Sequence, residues 1–128
     1  DVQSYRKAWK DAGHEGEPAT VVRIPTLLAD TKEEAERLSD ELMVLARHYF
    51  NGRIGIGSTD AGSASPDTTA EVNLFGTAED VVEKIEVLRE QYDTDEIMFE
   101  VNWTSSVPRD VVTNTIRILT DKVIPKFK

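Results

Sequence analysis

Glu100, Asn102 and Trp103 are the residues of this chain best placed to do chemistry. They end the run Ile97-Met98-Phe99-Glu100-Val101-Asn102-Trp103, whose apolar content and length read as a buried strand. In parallel β/α architectures, ligands bind at the C-terminal ends of strands. An amide and an indole there can hold a planar ligand by hydrogen bonding and stacking. The competing reading makes Trp103 a packing residue over the strand end. Glu100 alternates with Phe99 and Val101 and so faces away from them. A carboxylate in that position either lines a site or pairs with a neighbouring Arg or Lys, with the balance toward the ion pair.

Other candidates carry less. Arg53 stands in a glycine-rich stretch and could meet an anionic ligand, although a lone loop arginine is more often solvated. Gly55-Ile56-Gly57-Ser58-Thr59-Asp60 begins like a dinucleotide fingerprint but lacks the third glycine and follows a helix, so it reads as loop. Ser58, Ser63 and Ser65 lack the G-x-S-x-G elbow of serine hydrolases. The acidic group Glu33, Glu34 and Glu36 reads as the solvated first turns of a helix. His14 and His48 are far apart, and with no cysteine the chain offers neither disulfide, thiolate nucleophile nor thiolate zinc site.

The elements that position these residues alternate in type. Val2, Tyr5, Ala8, Trp9 and Ala12 share a helical face, and Gly13 suits its C-terminal cap. A strand is expected over 20–29, where Pro25 marks an edge or a bulge. Thr31 and Glu34 form a capping box for a helix with Leu38, Leu42, Leu45 and Tyr49 on one face, ended by Asn51-Gly52. Residues 51–75 read as a long irregular loop, with short strands possible at Arg53–Ile56 and Glu71–Leu74. From Gly76 onward come a capped helix (Val81, Ile85, Leu88, Tyr92), the strand at 97–102, and a helix begun by Pro108 with Val112, Ile116, Leu119 and Val123 on one face. Helix, strand and helix in succession are a β/α step, and its strand needs parallel neighbours. The chain reads as a piece of a larger sheet or barrel.

Composition narrows the function classes. Hydrophobic residues make up 39% and charged residues 30%, enough for one domain core. A net charge of −9 argues against a nucleic-acid surface, which needs clustered cations. No apolar run approaches the ~20 residues of a membrane span. The chain opens at Asp1 without a signal peptide, which is consistent with a trimmed or internal start and a cytoplasmic setting.

Five segments in order resemble the bacterial luciferase-like flavin-dependent monooxygenases. Tyr5–His14 is similar to their "Y-x-x-A-x-x-x-A-G-H" helix, and Leu27–Ala35 to their "(A/V)-x-(D/E)-T-x-x-E-A" junction. Gly76–Ile85 resembles "G-(T/S)-P-E-x-V-x-x-(K/R)-(I/L)", with Ala78 in place of the usual proline. Asp95–Asn102 and Val123–Phe127 resemble the last strand and the "V-I-P-x-(F/L)" helix end. The resemblance covers the chain apart from 51–75.

That resemblance implies an α/β chain forming the C-terminal part, the last two β/α units, of a TIM-type barrel rather than a complete barrel. Residues 1–128 are then one partial domain, with strand seven at 20–29, strand eight at 97–102 and a mobile loop at 51–75 near the site mouth. It implies an oxidoreductase using reduced flavin (FMN, or alternatively a deazaflavin) and dioxygen on a small organic substrate. The catalytic groups lie on earlier strands, and Asn102, Trp103, Glu100 and Arg53 would contact flavin or substrate. This chain alone would bind no flavin and turn nothing over. Open strand edges lead to the expectation of a homo-oligomer, with no nucleic-acid or membrane partner. The alternative is a free-standing acidic α/β module that binds a protein partner.

Overall fold

The computed structural model describes residues 2–54, 73–103 and 105–128, with the backbone alone over 45–54. Helix α1 (Val2–Asp11) precedes strand β1 (Val21–Leu28), helix α2 (Lys32–Ile54), the short strand β2 (Leu74–Gly76), helix α3 (Ala78–Tyr92), strand β3 (Glu96–Glu100) and helix α4 (Arg109–Ile118). Helix α4 continues into a π-helical turn at Leu119–Val123 and a 3-10 turn at Ile124–Lys126. The strands form one parallel sheet in the order β2-β1-β3. Three strands are therefore paired, the third starting at the last residue of the possible Glu71–Leu74 strand, and β1 is central.

Strand β1 changes partner along its length. Val21–Pro25 pair with Glu96–Glu100 of β3, and Thr26–Leu28 with Leu74–Gly76 of β2. This explains a proline in a central strand, against the expectation of an edge or bulge. Ala29 N donates to Gly76 O of β2 at 3.2 Å. Donors alternate along a strand, so a residue at 25 would donate toward β2, below the point where β2 begins. Among the described residues, the N–H that proline lacks has no ladder to serve.

The chain steps from β1 to β2 in one direction and from β2 to β3 in the other. Right-handed crossovers then place the connecting helices on opposite faces. Ala35, Leu38 and Leu42 of α2 pack with Leu27, whereas Val81, Ile85 and Leu88 of α3 and Ile118, Leu119 and Val123 pack with Ile24 and Leu28. Among the described residues, the helices cover only the upper half of the Leu27 face. Lower down, Val21 and Met98 are 53% and 55% exposed.

Several local expectations shift. Helix α2 runs through Asn51-Gly52 to Ile54, so Arg53 lies in its last turn rather than in a loop or strand. The centre of the expected 51–75 loop, with Gly55–Asp60, Ser58, Ser63, Ser65 and the start of the Glu71–Leu74 strand, lies outside the described residues. Thr31 Oγ1 accepts from Glu34 N at 3.3 Å, but the Glu34 carboxylate receives Arg37 instead of closing the box. Pro108 stands at the N-cap of α4, one place before the expected first turn, because its ψ of 140° is extended. The buried stripe of α4 is Val111, Thr115 and Ile118, with Ile116 48% exposed. Tyr92 is likewise 44% exposed. Helix α1 buries no residue, and Gly13 (φ 76°) ends it as a left-handed cap whose N–H reaches Lys10 O.

Candidate functional site

The reversal of chain direction makes a topological switch point between β1 and β3. In open α/β sheets, the crevice beyond the strand ends at such a point is where ligands bind. The loops leaving β1 and β3 carry Ala29-Asp30 and Val101–Val107 respectively. Strand β3 ends at Glu100, two residues before the expected 102. Asn102 and Trp103 therefore belong to a turn rather than to the strand.

That turn is built around Asn102. Its Oδ1 accepts from Val107 N at 3.1 Å, and its carbonyl accepts from Ser105 N at 3.0 Å. Ser105 adopts a left-handed φ of 58°. The amide oxygen thus holds the loop shut, a positioning role that the strand-end reading missed. Trp103 lies back over the sheet, its ring 5.7 Å from that of Phe75 and tilted by 31°. Register places Phe75 beside Leu27, and all three join the core with Val107 and Val111. The indole Nε1 is buried without a hydrogen-bond partner. A lost hydrogen bond of that kind costs about 1–3 kcal/mol, so the group calls for an explanation.

Glu100 settles toward the ion pair. Arg23 Nε approaches its Oε2 at 3.4 Å, and alternation puts both on the open face, where Arg23 pairs with Met98 and Pro25 with Glu100. Arg23, Phe75 and Asp30 were not singled out from the sequence. Arg23 and Glu100 on alternate-face positions of parallel strands are the signal that could have found the first. The structure brings Glu100 and Trp103 to one side of the sheet, leaves Asn102 in the loop above, and places the backbone of Arg53 at the end of α2.

Asp30 follows β1 and accepts from Arg117 at 2.6 Å, with Lys122 at 3.5 Å. The Arg117 hydrogen bond, helped by Lys122, holds its carboxyl below the usual carboxylate value. Both cations belong to the α4 end, so this cluster ties α4 to the strand end. At the opposite end of the sheet, Arg6 binds Asp93 O at 2.7 Å and Asp95 at 3.3 Å, docking α1. A separate groove of about 940 Å³ lies between α2, β2 and α3, lined by Lys32, Glu36, Asp80 and Lys84 among others. It shares Phe75 with the strand-end row but lies away from Glu100 and Asn102.

No protein-family model and no curated protein matches the sequence. Solved structures match its fold, two monooxygenases among them. The monooxygenase RslO1 from Streptomyces bottropensis superposes with a TM-score of 0.76 at 17% identity, over 99% of this chain and 37% of that one. The oxygenating constituent of 3,6-diketocamphane monooxygenase from the CAM plasmid of Pseudomonas putida, a type II Baeyer-Villiger monooxygenase in complex with FMN, gives 0.62 at 23% identity, over 98% and 38%. The chain thus has the fold of part of larger monooxygenases, one of them FMN-bound, and spans well under half the length of each.

Proposed function

We propose that this chain is the C-terminal β/α portion of a luciferase-like, flavin-dependent monooxygenase barrel, with β1 and β3 as its strands seven and eight. The observation that carries the reading is the superposition of 99% of the chain on 37% of a monooxygenase at a TM-score of 0.76. The five motifs, in matching order, support it. In such a barrel the half-open face of β1 and β3 is lumen, and the strand-end crevice is the site mouth.

The residues present fit one wall of a flavin or substrate pocket. Phe75 and Trp103 offer an aromatic surface, and the unpartnered Trp103 N–H is a donor without an acceptor. FMN, when bound, supplies the electrons with which dioxygen oxidises the substrate; a deazaflavin is the alternative carrier. This chain's part is to orient and enclose. Trp103 and Phe75 exclude water beside the ring system, Asn102 fixes the loop that carries Trp103, and Glu100 presents a carboxylate held by Arg23. Arg53 is assigned to the same mouth. In the intact enzyme the partners are flavin and a small organic substrate, in a cytoplasmic homo-oligomer.

The test is FMN titration, followed by flavin fluorescence, of the chain alone and of a polypeptide that adds β/α units before it. The chain alone should bind negligibly and the longer polypeptide saturably, with Trp103→Ala and Asn102→Ala weakening the latter. Unchanged affinity and turnover in both variants would remove those residues from the site. One observation favours a second reading, an acidic interaction module: α1 buries none of its residues. Protein capture with no flavin binding in either polypeptide would favour it.

A further inference from the structure

We propose that the C-terminal turn of α1 is a proton-operated clasp, in which His14 closes on Trp9 when its imidazole is charged and loosens when it is neutral. The backbone there forms a Schellman motif. Gly13 N donates to Lys10 O at 3.0 Å and His14 N to Trp9 O at 3.4 Å, with Gly13 left-handed at φ 76°. In that motif the residue after the left-handed cap commonly makes an apolar contact back to the helix. Here a titratable ring holds the position. The ring centroids of His14 and Trp9 are 4.5 Å apart, with the planes tilted by 38°. The indole Nε1 in turn donates to Gly16 O at 3.2 Å, and Tyr5 meets the indole edge-on at 6.2 Å.

The contact matters because α1 buries none of its residues. A helix this short is marginal by itself, so α1 depends on its cap and on Arg6, which ties it to Asp93 and Asp95. An imidazolium is attracted to an indole face and to the negative end of a helix, and a neutral imidazole much less so. The charged groups nearby do not oppose it. Lys7 is paired with Asp11, Lys10 with Glu17, and Arg6 with Asp93 and Asp95. Glu15 adjoins His14 and is exposed. Histidines change charge between about pH 5 and pH 8, so α1 is better ordered toward the lower end of that range. The contacts of the clasp all lie in α1 and the turn that follows it, and none of them depends on the monooxygenase reading.

The experiment is a titration of the full chain from about pH 8 to about pH 5.5, followed by tryptophan emission, helical circular dichroism and the NMR shifts of the His14 ring protons. An imidazolium in contact with an excited indole quenches it. Emission should therefore fall and the helical signal rise as pH drops, both with the midpoint of the His14 ring. Both changes should be lost in His14→Gln. The emission change should also be lost in Trp9→Phe, which leaves Trp103 as the remaining tryptophan. His14 and Trp9 belong to neither core cluster, so both variants keep the sheet and its helices. A flat titration would overturn the proposal, as would changes that persist in either variant or that have a midpoint different from that of the His14 ring.

Discussion

Replacing Thr115 by valine should destabilise this fold more than its isosteric change suggests. Thr115 is 1% exposed on α4, and its Oγ1 accepts from Leu28 N at 3.2 Å while its hydroxyl reaches Leu28 O at 3.4 Å. Leu28 N points to the β3 side of β1, being the neighbour of Ala29, whose N–H goes to β2. The β3 ladder has already ended at Pro25 and Glu100. One hydroxyl therefore takes the place of a strand neighbour. Valine keeps the volume and leaves a buried N–H without its acceptor, at a cost of about 1–3 kcal/mol. At roughly 4 °C per kcal/mol for a domain of this size, Tm should fall by about 4–12 °C. Thr115→Ser keeps the bonds and loses one methyl, about 1 kcal/mol. Urea and thermal melts followed by circular dichroism at low concentration should rank wild type above serine above valine. Valine equal to or above serine would refute the assignment of the hydroxyl.

Gly76 has φ 151°, and a Cβ there would lie 2.7 Å from Asp80 Cβ. Gly76→Ala should therefore cost more than the ordinary glycine effect of about 1 kcal/mol, visible as a lower urea midpoint. Acid should destabilise the chain. The Thr20 hydrogen bonds, with Arg6, hold Asp95 below its ordinary value, and those from Thr77 do so for Asp80. Each folded carboxylate binds fewer protons than its unfolded form, so the stability it adds is complete above about pH 5 and is lost as pH falls through the lowered value. Asp95→Asn should flatten the Tm–pH curve below pH 5, and an unchanged slope would discount that carboxylate. The exposed Val21 and Met98 should drive self-association of the chain. Met98→Glu should shift the sedimentation profile toward monomer, and a wild-type chain that is monomeric at high concentration would count against this.

Much of the α/β order was legible because it rests on strong local signals: the Gly13 cap, the Thr31 hydroxyl, the apolar 97–101 run. What escaped depends on long-range pairing. Pro25 read as an edge marker, since a sequence does not show that two short partners divide β1 between them. Of the last helix's expected stripe, Leu119 and Val123 are buried, while Val112 and Ile116 were misplaced by one residue because Thr115 counts as polar until Leu28 is beside it. The π-helical turn at Leu119–Val123 then carries the buried face from Ile118 to Val123 across a five-residue step. Glu100 was recognised as facing away from the core, but Arg23 gained meaning only from the β1–β3 register. Asn102 read as the end of the strand, but it stands in the turn after β3, where its Oδ1 accepts from Val107 N.

Among the described residues, one quarter of the sheet is left bare by the groups that tie its two ends. At its N-terminal end Thr20, Asp95 and Arg6 tie α1, β1 and β3 together. At its C-terminal end Thr115 and Arg117 close the loose groups of β1. Helices bury Ile24 and Leu28, leave Val22, Ile97 and Phe99 partly buried beside them, and cover the upper part of the Leu27 face. Selection for stability alone would cover the remainder with apolar side chains or surround it with charge. Instead it mixes exposed Val21 and Met98 with a paired Arg23 and Glu100. The apolar residues there would gain from burial against further strands, whereas an ion pair gains little from it.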